Sequence, residues 1–134
     1  MKKVSDDNRC FVCGQNNDRG LRFKFSYNER TEESESTIVF ADYYQGWGKI
    51  VHGGLVSTIL DEIQVKVAGF HNYQCLTAEL NVKYKKPVRT ETEYFLTGKI
   101  KKIRNKIVYT EASLKDKNSN TVAFANAKLF IVTE

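Results

Sequence analysis

The polar and apolar positions of this chain change period once. Residues 20–28, GLRFKFSYN, alternate Leu21, Phe23, Phe25 and Tyr27 with Arg22, Lys24 and Ser26, the pattern of a half-buried strand. Residues 35–40, ESTIVF, predict a second strand after the acidic turn NERTEE. Residues 53–69 then switch to helical spacing, with Leu55, Ile59, Ile63 and Val67 four apart and Val56 and Leu60 widening the stripe. Gly69 is the expected stop. Four more strands are predicted over 76–88, 93–101, 106–114 and 121–132, with Pro87 ending the first of them or marking a sheet edge. One helix cannot form separate layers on both faces of six strands. The arrangement that buries both patterns is a curved antiparallel sheet wrapped around that helix, an α+β fold. Its free edges and open face predict self-association.

The helix carries an anomaly. On a wheel of 100° per residue Asp61 emerges opposite the apolar stripe, among Ser57, Thr58, Val65 and Ala68. A solvated helix back usually carries charge; this one is small and mostly neutral, so it is read either as an exposed back with an isolated Asp or as a face covered by a second subunit or a ligand. Partial burial would tune the Asp61 carboxylate. Glu62 falls on the flank, as a surface, pairing or substrate-binding acid. Lys66 falls on the apolar side and must extend its ammonium to water.

The helix opens with His52-Gly53-Gly54. Free N–H groups and the positive dipole end gather at such a start, and glycine lets a substrate oxygen approach them. Donors aimed at a carbonyl gaining negative charge make an oxyanion hole.

Composition adds bounds. The 134 residues suit one domain, 1–134, with residues 1–19 as an N-terminal extension. No apolar run reaches membrane length and no apolar stretch follows Lys3, so a cytoplasmic location is expected, without a membrane partner. The net charge of +5 favours an anionic partner. Residues 83–106 hold nine Lys and Arg, Lys85, Lys86 and Arg89 among them, against Glu91 and Glu93. This stretch is read either as solvated strand faces or as a phosphate-binding patch. Nucleic acid is not the expected ligand, because no RNP-like aromatic motif or recognition helix accompanies the charge.

Three cysteines without a secretory signal argue against a disulfide framework. Cys10 and Cys13 have the spacing of one zinc knuckle, but a structural zinc takes four ligands. The remaining candidates, Cys75, His71 and His52, are scattered, so no metal is expected and the pair is read as reduced thiols in a packed turn. Cys75 has nothing to orient it as a nucleophile. Phe40, Tyr43, Tyr44 and Trp47 are read as core or as walls of an apolar pocket.

The pattern H-G-G-x(6)-D, followed by T-A-E-L-N-V-K-Y-K-K-P-V, resembles the hotdog-fold acyl-CoA thioesterases of the phenylacetate-pathway and thioesterase superfamily member 2 type. The opening C-F-V-C-G-x-x-N-x-x-G-L resembles a bacterial branch of that superfamily. The resemblance covers about residues 20–132. It implies a hotdog fold, hydrolysis of acyl-CoA to acid and coenzyme A without a cofactor, and a homodimer or dimer of dimers with the active site between subunits. Gly53 would then offer its N–H to the thioester carbonyl, beside Gly54, and Asp61 of the partner would serve as general base or nucleophile. His52 would sit near the thioester, and Thr77 would help hold the attacking water. The family's Asn six residues before the His is Gly46 here; Gln45 is the neighbouring amide. Trp47 and Glu62 would line the substrate, and Lys85, Lys86 and Arg89 would meet the coenzyme A phosphates. A non-catalytic acyl-CoA binder is the alternative, and a hotdog dehydratase would place its His and acid differently.

Overall fold

The computed structural model describes residues 4–132. Its elements are β1 (Ser26–Asn28), β2 (Glu33–Val39), a 3-10 turn (Asp42–Tyr44), α1 (Gly53–Phe70), β3 (Cys75–Tyr84), β4 (Glu93–Arg104), β5 (Ile107–Lys115) and β6 (Thr121–Ile131). All six strands form one antiparallel sheet in the order β1-β2-β4-β5-β6-β3. Helix α1 packs along β2 through β6 and meets β1 where Phe70 lies against Tyr27, so the sheet curves around it. This is the hotdog arrangement.

Sequence and structure part over residues 20–25. The side chains do alternate: Leu21, Phe23 and Phe25 pack on the core while Arg22 and Lys24 are exposed. The backbone, however, does not join the sheet until Ser26. Its N–H groups turn to the N-terminal loop instead, Leu21 to Phe11 O at 2.8 Å and Phe23 to Val12 O at 2.9 Å. Ser36 Oγ occupies Lys24 O at 2.6 Å. Val12 of this loop is buried in the core. β3 stops at Tyr84, before Pro87, and is an edge strand.

Val56, Ile59, Leu60, Ile63 and Val67 are fully buried against the sheet, as their spacing requires. Leu55 is only half-buried, at the exposed first turn. Gln64 is a polar exception at 0% exposure. Its Nε2 donates to Leu60 O at 2.9 Å and its Oε1 accepts from Thr110 Oγ1 on β5 at 2.7 Å. Ser34 Oγ of β2 donates to Ile63 O at 3.0 Å. These bonds satisfy the buried polar groups and fix the rotation of α1 over the sheet. Ala68, expected on the outer helix face, is fully buried in a second cluster with Cys75, Val108, Ala127 and Leu129, because the start of β3 covers that side.

The two sheet edges differ. β1 has three residues and leaves little ladder to pair. β3 has ten, pairs only β6, and exposes Leu76, Thr77, Ala78 and Glu79. Among the described residues no helix is long and apolar enough to cross a membrane.

Candidate active site

The loop before α1 is closed by its own backbone. Gly46 N–H donates to Ile50 O at 2.8 Å, His52 N–H to Tyr44 O at 3.0 Å and Val51 N–H to Val88 O at 2.8 Å. Gln45 Oε1 accepts from Lys49 N–H at 2.9 Å. Gln45 thus holds the loop with its oxygen and keeps its NH₂ free to donate.

His52 is the N-cap of α1, and its Nδ1 accepts from Gly54 N–H at 3.0 Å. An accepting Nδ1 places the ring proton on Nε2. The sequence placed this residue near the substrate without a derived role; capping is that role. The two glycines now separate. A Cβ on Gly54 would lie 3.2 Å from His52 Nδ1, so a side chain there crowds the cap and the His52 ring must give by a few tenths of an ångström. A Cβ on Gly53 would meet only the Tyr84 ring at 3.7 Å, an ordinary contact. Gly53 N–H has no partner among the described residues. It is the one open donor of the two, at the positive end of an 18-residue helix.

Tyr84, at the end of β3, was not legible as a site residue. Its hydroxyl donates to Gly53 O at 2.9 Å and meets Ser57 Oγ, fastening the first turn of the helix to the edge strand. A cleft of about 330 Å³ opens here, lined by Trp47, His52, Gly53, Val56, Tyr84 and Lys86 among others. The aromatic group splits: Phe40 is buried, edge-on to Phe23 and Tyr44, whereas Tyr43 and Trp47 are 76% and 83% exposed. Only Trp47 of the four lines the cleft. A larger concavity of about 680 Å³ over β1, β2 and β4 contains none of the sequence-derived site residues.

Asp61 is half-buried two turns along α1, and its Oδ1 accepts from Thr77 Oγ1 of β3 at 2.5 Å. The bond fixes one carboxylate oxygen and leaves Oδ2 open. Thr77's proton is committed to Asp61, so toward any water its hydroxyl is an acceptor.

The basic stretch divides. Lys99 and Lys101 approach Glu111 at 3.3 and 3.9 Å, and Lys102 lies over the Tyr109 ring. Lys85, Lys86 and Arg89 are exposed and form no ion pair among the described residues. Of these, Lys86 lines the cleft.

Glu62 does not reach the cleft. The helix carries it to the opposite flank, where its two carboxylate oxygens lie 3.7 and 3.5 Å from Cys10 Sγ. Lys66 extends over the Phe25 ring and to Cys13. Burial, then the Glu62 contact, pushes the Cys13 thiol up to about 12, and burial pushes Cys75 up to about 11. Neither offers a thiolate nucleophile at neutral pH. His71 caps the C-terminal end of α1, with Tyr27 Oη 3.1 Å from its Nε2.

Residues 48–123 match the family model described as the Thioesterase superfamily. Acyl-coenzyme A thioesterase THEM4 of Rattus norvegicus is 26% identical over 116 residues, 85% of this chain and 50% of that protein. The chain spans about half the length of the curated relatives it matches. Zebrafish thioesterase superfamily member 2 superimposes with a TM-score of 0.76 at 15% identity, covering 92% of both chains. A hypothetical thioesterase of Streptococcus pneumoniae, solved with coenzyme A, gives 0.76 at 13% identity over 84% of this chain and 90% of its own. Two single variants of the protein so named, one with an aspartate and one with a threonine replaced by alanine, have also been crystallised.

Proposed function

This chain belongs to the thioesterase superfamily, and from that membership we propose that it hydrolyses acyl-CoA thioesters to a free acid and coenzyme A. The observation that carries the reading is one helix with an open N–H at Gly53 and a half-buried carboxylate at Asp61, held from one side by Thr77.

The spacing on that helix dictates how the site assembles. Eight residues at 1.5 Å put Gly53 and Asp61 about 12 Å apart along the axis. Groups acting on one carbonyl, from its oxygen and from its carbon, must stand within a few ångströms of each other. A single chain cannot supply both. A second copy can, if two helices run antiparallel across a shared interface. The long unpaired edge of β3, with Thr77 and exposed Leu76 on it, supports pairing of that edge with its counterpart in a homodimer.

In that assembly the thioester carbonyl accepts from Gly53 N–H at the cleft, with the helix dipole behind it. Asp61 of the partner acts from the other face. As general base, its free Oδ2 takes a proton from a water whose other hydrogen bonds Thr77 Oγ1. As nucleophile, Oδ2 attacks directly and the anhydride is hydrolysed in a second step. Either way the tetrahedral intermediate collapses by expelling the thiolate of coenzyme A, which needs little proton assistance. Gln45 Nε2 and His52 Nε2–H are the further donors at the rim, Trp47 covers the apolar part, and Lys86, with Lys85 and Arg89, meets the phosphates.

The test is turnover of an acyl-CoA panel followed by thiol release, for the unaltered chain and for Asp61→Asn. Loss of turnover in the variant with its fold intact supports the reading, and unchanged turnover refutes it. No turnover on any ester by the unaltered chain, with retained acyl-CoA affinity, makes this a binding protein instead.

A further inference from the structure

The N-terminal loop meets helix α1 at a cluster that thioester hydrolysis does not use. Cys10 Sγ, Cys13 Sγ and a Glu62 carboxylate oxygen all lie within 4.8 Å of one another, and all three residues are half-buried. The third group is a carboxylate 52 positions from Cys10.

The loop has the geometry of a metal knuckle. Val12 N–H donates to Cys10 Sγ at 3.4 Å, and Gly14 N–H returns to Cys10 O at 2.9 Å. A Cβ on Gly14 would lie 2.3 Å from Cys10 N and 2.6 Å from Cys10 O, so no other residue closes this turn. The one N–H aimed at sulfur, that of Val12, favours a thiolate at Cys10. A Cys-x-x-Cys turn of this kind is a half-site from which tetrahedral zinc centres are built.

Distances and charges agree. Tetrahedral bonds of about 2.3 Å to sulfur and 2.0–2.2 Å to oxygen put neighbouring ligand atoms roughly 3.5–3.8 Å apart. The Glu62 oxygens already stand at 3.5 and 3.7 Å from Cys10 Sγ. Two thiolates and one carboxylate exceed the charge of Zn²⁺ by one, and the Lys66 ammonium beside Cys13 balances it. Thiolate donors select zinc over magnesium or calcium. A cavity of about 520 Å³, with Asp6, Arg9, Val65 and Tyr73 on its walls, adjoins the cluster and gives water access to a fourth position.

We propose that Cys10, Cys13 and Glu62 hold one Zn²⁺, completed by water, which staples the N-terminal segment to α1 one residue from Asp61. On binding, both thiols release their protons to solvent. The site stands independently of the thioesterase reading.

The full chain, stripped by chelator under reducing conditions, is titrated with Zn²⁺ alone against a chromophoric chelator, and separately with Co²⁺. The expected result is one Zn²⁺ per chain, sulfur-to-cobalt charge transfer with tetrahedral d–d bands, and a melting temperature that rises with Zn²⁺. Cys13→Ser abolishes stoichiometric binding, and Glu62→Gln weakens it at least about tenfold. Circular dichroism checks both folds. Should Cys13→Ser fail to fold, Glu62→Gln alone decides. Absence of stoichiometric Zn²⁺ and Co²⁺ binding overturns the proposal, as does affinity unchanged in the folded variants. A Cys10–Cys13 disulfide formed on mild oxidation, with no metal affinity in the reduced chain, overturns it in favour of a redox pair.

Discussion

Gly53→Pro isolates one hydrogen-bond donor. Gly53 is the first helical residue, and proline is favoured at that position because its N–H would have no helical partner. His52 before it has ψ 130°, outside the helical range that a following proline disfavours. The Cβ meets the Tyr84 ring at 3.7 Å without overlap. Reduced freedom of the unfolded chain should therefore leave stability unchanged or raise it by about 0.4–1 kcal/mol. Removing one oxyanion donor costs about 10²–10³ in kcat, or about 2.7–4 kcal/mol of transition-state stabilisation. Stability and activity should move apart. The same variant tests whether the site is shared. Mixed after unfolding with Asp61→Asn, it should form heterodimers in which one site has both an intact Gly53 and an intact Asp61. Random pairing of two inactive variants then restores about a quarter of the original activity. Thiol-release kinetics at saturating acyl-CoA, with melting curves alongside, read both effects. Full activity in Gly53→Pro removes the oxyanion assignment; no recovery on mixing, with exchange shown by mass spectrometry, removes the shared site.

Other outcomes follow from the same geometry. His52→Ala removes the cap acceptor and should cost about 1 kcal/mol by urea denaturation, while His52→Asn, which can still accept from Gly54 N–H, should recover most of it. Thr110→Val leaves Gln64 Oε1 buried without a donor and should cost about 1–3 kcal/mol; Thr110→Val with Gln64→Met should cost less than the sum of the single changes in a double-mutant cycle. Lys86→Ala should raise KM for an acyl-CoA more than for a short thioester without phosphates, and equal effects would remove Lys86 from coenzyme A binding. Leu76→Lys on the β3 edge should shift the chain toward monomer in light scattering and lower turnover with it.

What the sequence disclosed was whatever depends on local period. The i, i+4 run from Leu55 to Val67 placed α1 and turned Asp61 away from the core, and alternation placed five strands nearly to their ends. The ladder over residues 20–25 was misplaced, because its hydrogen-bond partners, Phe11 and Val12, lie in a loop with no periodicity of its own. Glu62 was left among surface, pairing and substrate roles because the wheel gives an angle and not a partner, and Cys10 comes near only after the N-terminal segment folds back. Tyr84 read as one alternating strand residue among several. Its bond to Gly53 O joins positions 31 apart. Trp47 and Phe40 looked alike in sequence, yet one is exposed and the other is core, since composition does not say which side of a loop faces the sheet.

The bonds from Gln64 to Thr110 and from Ser34 to Ile63 O give α1 a keyed seat. Apolar contacts alone hold a helix by volume, and a change of volume can rotate it. Directional bonds hold it by angle. The apolar side chains packed around α1 are thus free to drift in size over evolutionary time while Asp61 keeps its bearing. On the proposed thioesterase reading, such a fold can change the acyl group it accepts by substitutions in its walls and leave its chemistry unaltered.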